Sequence, residues 1–167
     1  TVVVEKAGKI IPHIVRVEKH ERESGSLEFK TPTGCPECET ALSRDDGGVY
    51  VRCTNPDCPA QIKEKLRYYA TRNAMDIEGL GDKVVGQVYD AGLVRSIGDL
   101  YRLDVDGLLK LERMGKRSAV KLLGGIETSK SRGLERLLNA LSIRHVGGRV
   151  AEILAQRFGD IDTMQRT

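Results

Sequence analysis

All four cysteines of this chain fall between Cys35 and Cys58, with the spacing C-x2-C-x14-C-x4-C. Two closely spaced pairs joined by a short intervening segment read as two metal knuckles linked by a hairpin. Each knuckle needs a tight turn so that two thiolates converge on one ion at about 2.3 Å. Turn formers stand where they are needed: Pro36 in the first pair, Asn55 and Pro56 in the second. Asp46-Gly47-Gly48 offers the hairpin turn, followed by the strand-like Val49-Tyr50-Val51. Four soft thiolates closing a tetrahedron suit Zn²⁺ and leave no open coordination position, so Cys35, Cys38, Cys53 and Cys58 are expected to hold a structural zinc. A segment of this size cannot bury enough apolar surface to fold alone, whereas zinc binding can supply about 10–16 kcal/mol in small peptides. The competing readings are two disulfides in a secreted domain and an iron–sulfur cluster.

The chain has 167 residues with an apolar fraction of 40%, the composition of a globular protein with room for two or three small domains. No apolar run approaches the roughly 20 residues of a membrane span, and Glu5, Lys6 and Lys9 interrupt the N-terminal stretch. A soluble protein without a signal or membrane anchor is expected. The net charge of +3 is unevenly placed. Residues 1–59 carry 8 Lys/Arg against 10 Asp/Glu, and residues 60–167 carry 19 against 14. A basic C-terminal two thirds favours a polyanionic partner. With no Trp and only Phe29, Phe158 and five tyrosines, the chain lacks spaced aromatic platforms for unpaired bases. Backbone phosphates are therefore the expected target of any nucleic-acid contact.

Ala60 to Arg72 places Ile62, Leu66 and Tyr69 at helical spacing, so a helix leads away from the cysteine module. Beyond it one shape recurs three times: IEGLGDKVVGQVYDAG from Ile77, LERMGKRSAVKLLGGI from Leu111 and IRHVGGRVAEILAQRFG from Ile143. Gly81, Gly115 and Gly147 stand 34 and 32 residues apart, each after an apolar residue (Leu80, Met114, Val146) and each before an amphipathic run. The pattern is helix, tight turn, helix. Amides at the start of the second helix, with the positive end of its dipole, suit a phosphate. Lys83, Lys116 with Arg117, and Arg149 would add mobile charge around those donors. The second and third turns have Arg113 and His145 where the first has Gly79, and are expected to hold phosphate less well. A helical array serving packing alone is the alternative. The interval projects a fourth unit near residue 179, for which FGDIDTMQRT looks like the lead-in.

At the N-terminus, Val2 to Val4 and Ile10 to Val17 are β-rich runs broken at Ala7-Gly8, as in two strands of a small barrel too short to be complete. Lys6 and Lys9 are the functional candidates there, with a solvated strand edge the expected role of each. His13, His20 and His145 have no metal or nucleophile partner at a useful spacing and are expected to serve surface or core packing, and no catalytic residue is assigned.

The strand pair VVVEKAGKIIPHIV, the cluster CPEC…CTNPDC with its following PAQ, and the repeats MDIEGLG, LERMGKRSA and IRHVGG together resemble bacterial NAD-dependent DNA ligases over essentially the whole chain. The resemblance implies a multi-domain, mainly α fragment in three parts. Residues 1–31 would be the last strands of a truncated OB-fold, 32–59 a four-cysteine zinc finger, and 60–167 a helix-hairpin-helix array with three of four hairpins. It implies zinc on the four cysteines and DNA contacts at Gly79, Leu80, Gly81 and Lys83, at Gly115, Lys116 and Arg117, and at Gly147, Gly148 and Arg149. The parent enzyme would be a cytoplasmic bacterial monomer that seals nicked duplex DNA in replication and repair, with NAD and Mg²⁺ bound outside this fragment. The nucleotidyltransferase domain, the rest of the OB-fold and a BRCT domain would lie elsewhere in the parent chain, so the fragment should bind DNA without sealing it. Family members commonly have an acidic residue where this chain has Lys9. A non-enzymatic zinc and helix-hairpin-helix adaptor in repair or recombination is the alternative.

Overall fold

A computed structural model describes residues 1–8, 10–45 and 47–166. Lys9, a candidate above, and Asp46, the first residue of the expected hairpin turn, lie outside the described residues, as does Thr167. The chain divides into two compact units, Thr1–Thr33 and Gly34–Thr167.

The first unit is an antiparallel pair, β1 (Val2–Ala7) and β2 (Ile11–Val17), with Val2 opposite Val17, Ala7 opposite Ile11 and an irregularity between Val3 and Val4. β-branched residues dominate both strands and Gly8, at φ +60°, turns the chain. Val2, Val4, Ile11, Ile14, Val15 and Val17 are all exposed, so this hairpin buries no core of its own.

The second unit opens with a short hairpin, β3 (Leu42–Arg44) paired with β4 (Val51–Cys53), Arg44 opposite Val51. Its strand begins two residues later than Val49-Tyr50-Val51 suggested. Val49 and Tyr50 are 82% and 65% exposed in the connection, where no apolar burial rewards pairing and the Arg52 guanidinium stands over the Tyr50 ring. Helices α1 (Pro59–Ala70), α2 (Asp82–Asp90), α3 (Val105–Leu109), α4 (Lys116–Ser129), α5 (Leu134–Ala140), α6 (Gly148–Phe158) and α7 (Ile161–Gln165) follow, with a 3-10 segment at Ile97–Arg102. No described helix is long and apolar enough to cross a membrane.

Leu66 and Tyr69 of α1, Val85 and Val88 of α2, Leu108 of α3 and Ala119, Leu122 and Ile126 of α4 meet in one buried cluster with Ile77, Leu80 and Leu100. Ile62, Leu66 and Tyr69, anticipated from helical spacing along α1, all belong to this packing. Tyr69 donates or accepts at the Tyr101 hydroxyl (2.7 Å), and Tyr101 in turn meets the fully buried Ser129 (3.0 Å). Their polar groups are therefore satisfied inside the core. A second, smaller cluster joins Leu134 and Leu138 of α5 to Ala151 of α6, with Val146, Leu154 and Phe158 against it.

Candidate zinc centre and nucleic-acid interface

The four cysteine sulfurs lie within 4.8 Å of one another. Cys35 Sγ is 3.9 Å from Cys58 Sγ, and Cys38 Sγ is 3.6 Å from Cys53 Sγ. Ligands about 2.3 Å from a common tetrahedral ion stand about 3.8 Å apart, so the donor set fits zinc. None of the four is disulfide-bonded. In the first knuckle the Cys35 amide donates to the Thr40 carbonyl (2.9 Å) and the Glu39 amide to the Cys35 carbonyl (2.9 Å), with Glu39 in the left-handed region at φ +59°. In the second, Gln61 Nε2 donates to the carbonyls of Cys53 (2.8 Å) and Asn55 (3.2 Å). Cys58 is also the N-cap residue of α1, with Pro59 at the first helical position. One end of the thiolate cluster is therefore the start of the helix on which the array is built.

Charge accounts for the need for a cation. The Cys38 thiol is lowered to about 6, first by the Thr40 hydroxyl and then by the Asn55 side chain. At Cys53 the Asn55 backbone amide lowers the pKa, but desolvation together with the neighbouring Cys38 and Cys35 thiols outweighs it and raises the group to about 11. One sulfur ionises at the expense of its neighbour. A divalent ion at the centre allows all of them to be thiolates.

The three repeats have one backbone. In each, an amide closes a four-residue turn: Leu80 to the Ile77 carbonyl (3.4 Å), Met114 to Leu111 (3.3 Å) and Val146 to Ile143 (2.9 Å). The third residue of each turn has positive φ, +93° at Gly79, +60° at Arg113 and +68° at His145, as a type II turn requires. Losing glycine at the second and third turns has not changed their backbone. Arg113 and His145 hold the left-handed conformation at a cost of about 1 kcal/mol each.

The next glycine is the N-cap of the following helix in every repeat: Gly81 (φ −85°, ψ 178°) before α2, Gly115 (−86°, 160°) before α4 and Gly147 (−90°, −177°) before α6. These are extended conformations that any residue adopts, and a Cβ built on any of the three would meet nothing within 4 Å. Neither backbone nor packing demands glycine here. Where α3 and α7 begin, the chain instead uses Asp104 and Asp160, whose carboxylates accept from the third helical amide. At the three repeats no side chain caps the helix, and the first-turn amides face outward.

Lys83, Lys116 and Arg117 are exposed, with no ion pair among the described residues. Arg149 is exposed and pairs with Glu152 (2.6 Å). The helix starts differ in charge. Asp82 stands in the first turn of α2, 3.7 Å from Arg67, whereas the first turns of α4 and α6 hold no acid. Sequence reasoning passed over Asp82. It also passed over Arg144, whose Nη2 lies 3.1 Å from Asp45 and joins the third turn to the cysteine hairpin.

The comparisons follow these divisions. Residues 34–60 match the NAD-dependent DNA ligase C4 zinc finger domain, residues 72–128 a SAM-like helix-hairpin-helix tandem, and residues 136–167 a helix-hairpin-helix motif. Over 99% of its length the chain is similar to DNA ligases: 47% identical to that of Rhodopirellula baltica across 26% of the relative, 46% to that of Bacillus subtilis across 25%, and 49% to that of Halalkalibacterium halodurans across 25%. The chain spans about a quarter of the length of these relatives. With a four-thiolate zinc centre at one end of α1 and three repeats of one turn beyond it, the chain belongs to the bacterial NAD-dependent DNA ligases and carries that family's zinc-finger and helix-hairpin-helix region.

Proposed function

We propose that this chain is the part of a cytoplasmic NAD-dependent DNA ligase that grips duplex DNA through its phosphates, independently of sequence. Residues 1–31, 32–59 and 60–167 serve as OB-fold strands, zinc finger and hairpin array. The observation that carries the reading is the glycine at the three helix starts, where the protein's own geometry asks for none, whereas α3 and α7 are capped by aspartate. A missing Cβ and uncapped amides there serve a partner from outside the chain, and the exposed cations beside them suit an anion. Gly79, Leu80, Gly81 and Lys83, then Gly115, Lys116 and Arg117, then Gly147, Gly148 and Arg149 form the three grips. Cys35, Cys38, Cys53 and Cys58 hold zinc, which fixes the start of α1 rather than reacting. Sealing of nicks, with NAD as adenylate donor and Mg²⁺, belongs to the whole enzyme. The present residues bind the duplex without joining it, as a monomer.

Three grips of about two phosphates each give a log–log salt slope of about −5 for duplex binding, at about −0.9 per phosphate. Fluorescence anisotropy across a salt series measures it. A slope near zero would show that the turns are packing elements only.

A further inference from the structure

The segment between α1 and the first turn offers three consecutive carbonyls, those of Arg72, Asn73 and Ala74, and none of them is taken up by a helix ladder. Side chains of α5 hold all three. Arg136 Nε donates to the Ala74 carbonyl (2.6 Å), its Nη2 donates to the Arg72 carbonyl, and Asn139 Nδ2 donates to the Asn73 carbonyl (3.1 Å). Just before α5, Arg132 Nη2 meets Asp76 (2.8 Å), the residue preceding the first turn and itself at φ +52°. These bonds join residues 56 to 66 positions apart.

The opposite side of α5 belongs to the third repeat. Leu134 and Leu138 pack on Ala151 of α6, while Ala140 enters the main core. One short helix therefore fixes the lead-in of the first turn and the flank of the third. Backbone bonds to the end of α1 also hold the segment: Met75 to the Tyr69 carbonyl (3.0 Å), Asp76 to Thr71 (2.9 Å) and Ile77 to Ala70 (3.0 Å). Those bonds suffice to form the turn. They do not set where it stands relative to the third.

We propose, resting on the phosphate-gripping reading above, that Arg136 and Asn139 are positioning residues that hold the first and third grips at a fixed separation, so that both meet one duplex together. Neither side chain touches DNA. Two linked contacts at a set spacing reinforce each other through effective concentration, and a loosened lead-in forfeits that gain without removing a single phosphate contact.

A double-mutant cycle separates this role from ordinary structural damage. Binding to a plain duplex of about 20 base pairs, long enough for every grip, is measured by anisotropy at low salt. Arg136→Ala is expected to weaken binding about 10-fold in the wild-type background but less than about 2-fold beside Gly147→Asp, because spacing is irrelevant once the third grip is disabled. Arg136→Lys, with one amine for two carbonyls, falls between. Equal losses in both backgrounds, or no loss in either, overturn the proposal. Where Arg136→Ala melts near the assay temperature, Asn139→Ala, which deletes the bond to the Asn73 carbonyl and the 3.4 Å contact from the Tyr68 hydroxyl, replaces it, with about a 3-fold loss in the wild-type background only. Salt-independent or absent binding by the unmutated chain overturns the gripping reading instead.

Discussion

Gly115→Asp is expected to lower duplex affinity by about 100-fold while leaving the melting temperature unchanged or slightly raised. The two effects have opposite signs because aspartate is a good N-cap residue. At φ −86° and ψ 160° Gly115 already has the backbone of a capped helix start, and its Cβ position is empty. A carboxylate there would accept from the first-turn amides, as Asp104 and Asp160 do at their own helices. It would also favour the helix dipole, for a gain on the order of 0.5 kcal/mol. The same carboxylate occupies the donors a phosphate needs and places a negative charge against it. Losing two charge-assisted hydrogen bonds at about 1.5 kcal/mol each is about 3 kcal/mol, or about 100-fold in affinity. Gly147→Asp follows the same reasoning at α6. Anisotropy and thermal melting of one sample check both halves. A variant that loses stability together with affinity shows that glycine serves the fold.

Gly81→Asp should do less. Asp82 already brings a carboxylate to that helix start, only partly offset by Arg67 at 3.7 Å. The grips of the second and third repeats, with Lys116, Arg117 and Arg149 and no acid in the first turn, then contribute more of the affinity than the glycine count suggests.

The extent to which the sequence disclosed this follows from what each feature depends on. The cysteine spacing was legible because metal geometry leaves little freedom in how two knuckles converge. The repeat was legible because three copies in register cannot be mistaken for one closing glycine. The backbone of Arg113 and His145 was not, since a left-handed residue other than glycine is held by its surroundings, here the turn bond beneath it, and no local signal announces it. Strand β4 begins two residues later than the β-branched Val49 suggests, because that propensity is rewarded only where side chains pack. Bonds such as Arg136 to Ala74 or Arg144 to Asp45 join distant positions and carry no periodicity.

Removal of zinc is expected to have the second large effect. The segment from Cys35 to Cys58 buries little beyond Cys35 and Cys58 themselves, so its folding rests on the ion. Chelation should forfeit on the order of 10–16 kcal/mol of apparent binding free energy and unfold that segment. The damage should reach the array, because Cys58 caps α1 and Gln61 ties α1 to the second knuckle. Far-ultraviolet circular dichroism should lose helix from α1 onward, and restoring zinc should recover it. Acid acts in the same direction. The Cys53 thiol, raised to about 11, must give up its proton when zinc binds, so zinc affinity falls as pH falls, about 10-fold per pH unit for each proton released. A chain that keeps its spectrum in strong chelator would show that the four thiols do not hold a structural metal.

The most direct measurement is an amide-resolved titration of the ¹⁵N-labelled, zinc-loaded chain with a duplex oligonucleotide. Backbone N–H resonances of residues 115–117 and 147–149 should move downfield in step with binding and return as salt is added, while those at the aspartate-capped starts of α3 and α7 stay in place. Duplex that binds while the glycine-capped amides remain unshifted would place the grip elsewhere on the molecule.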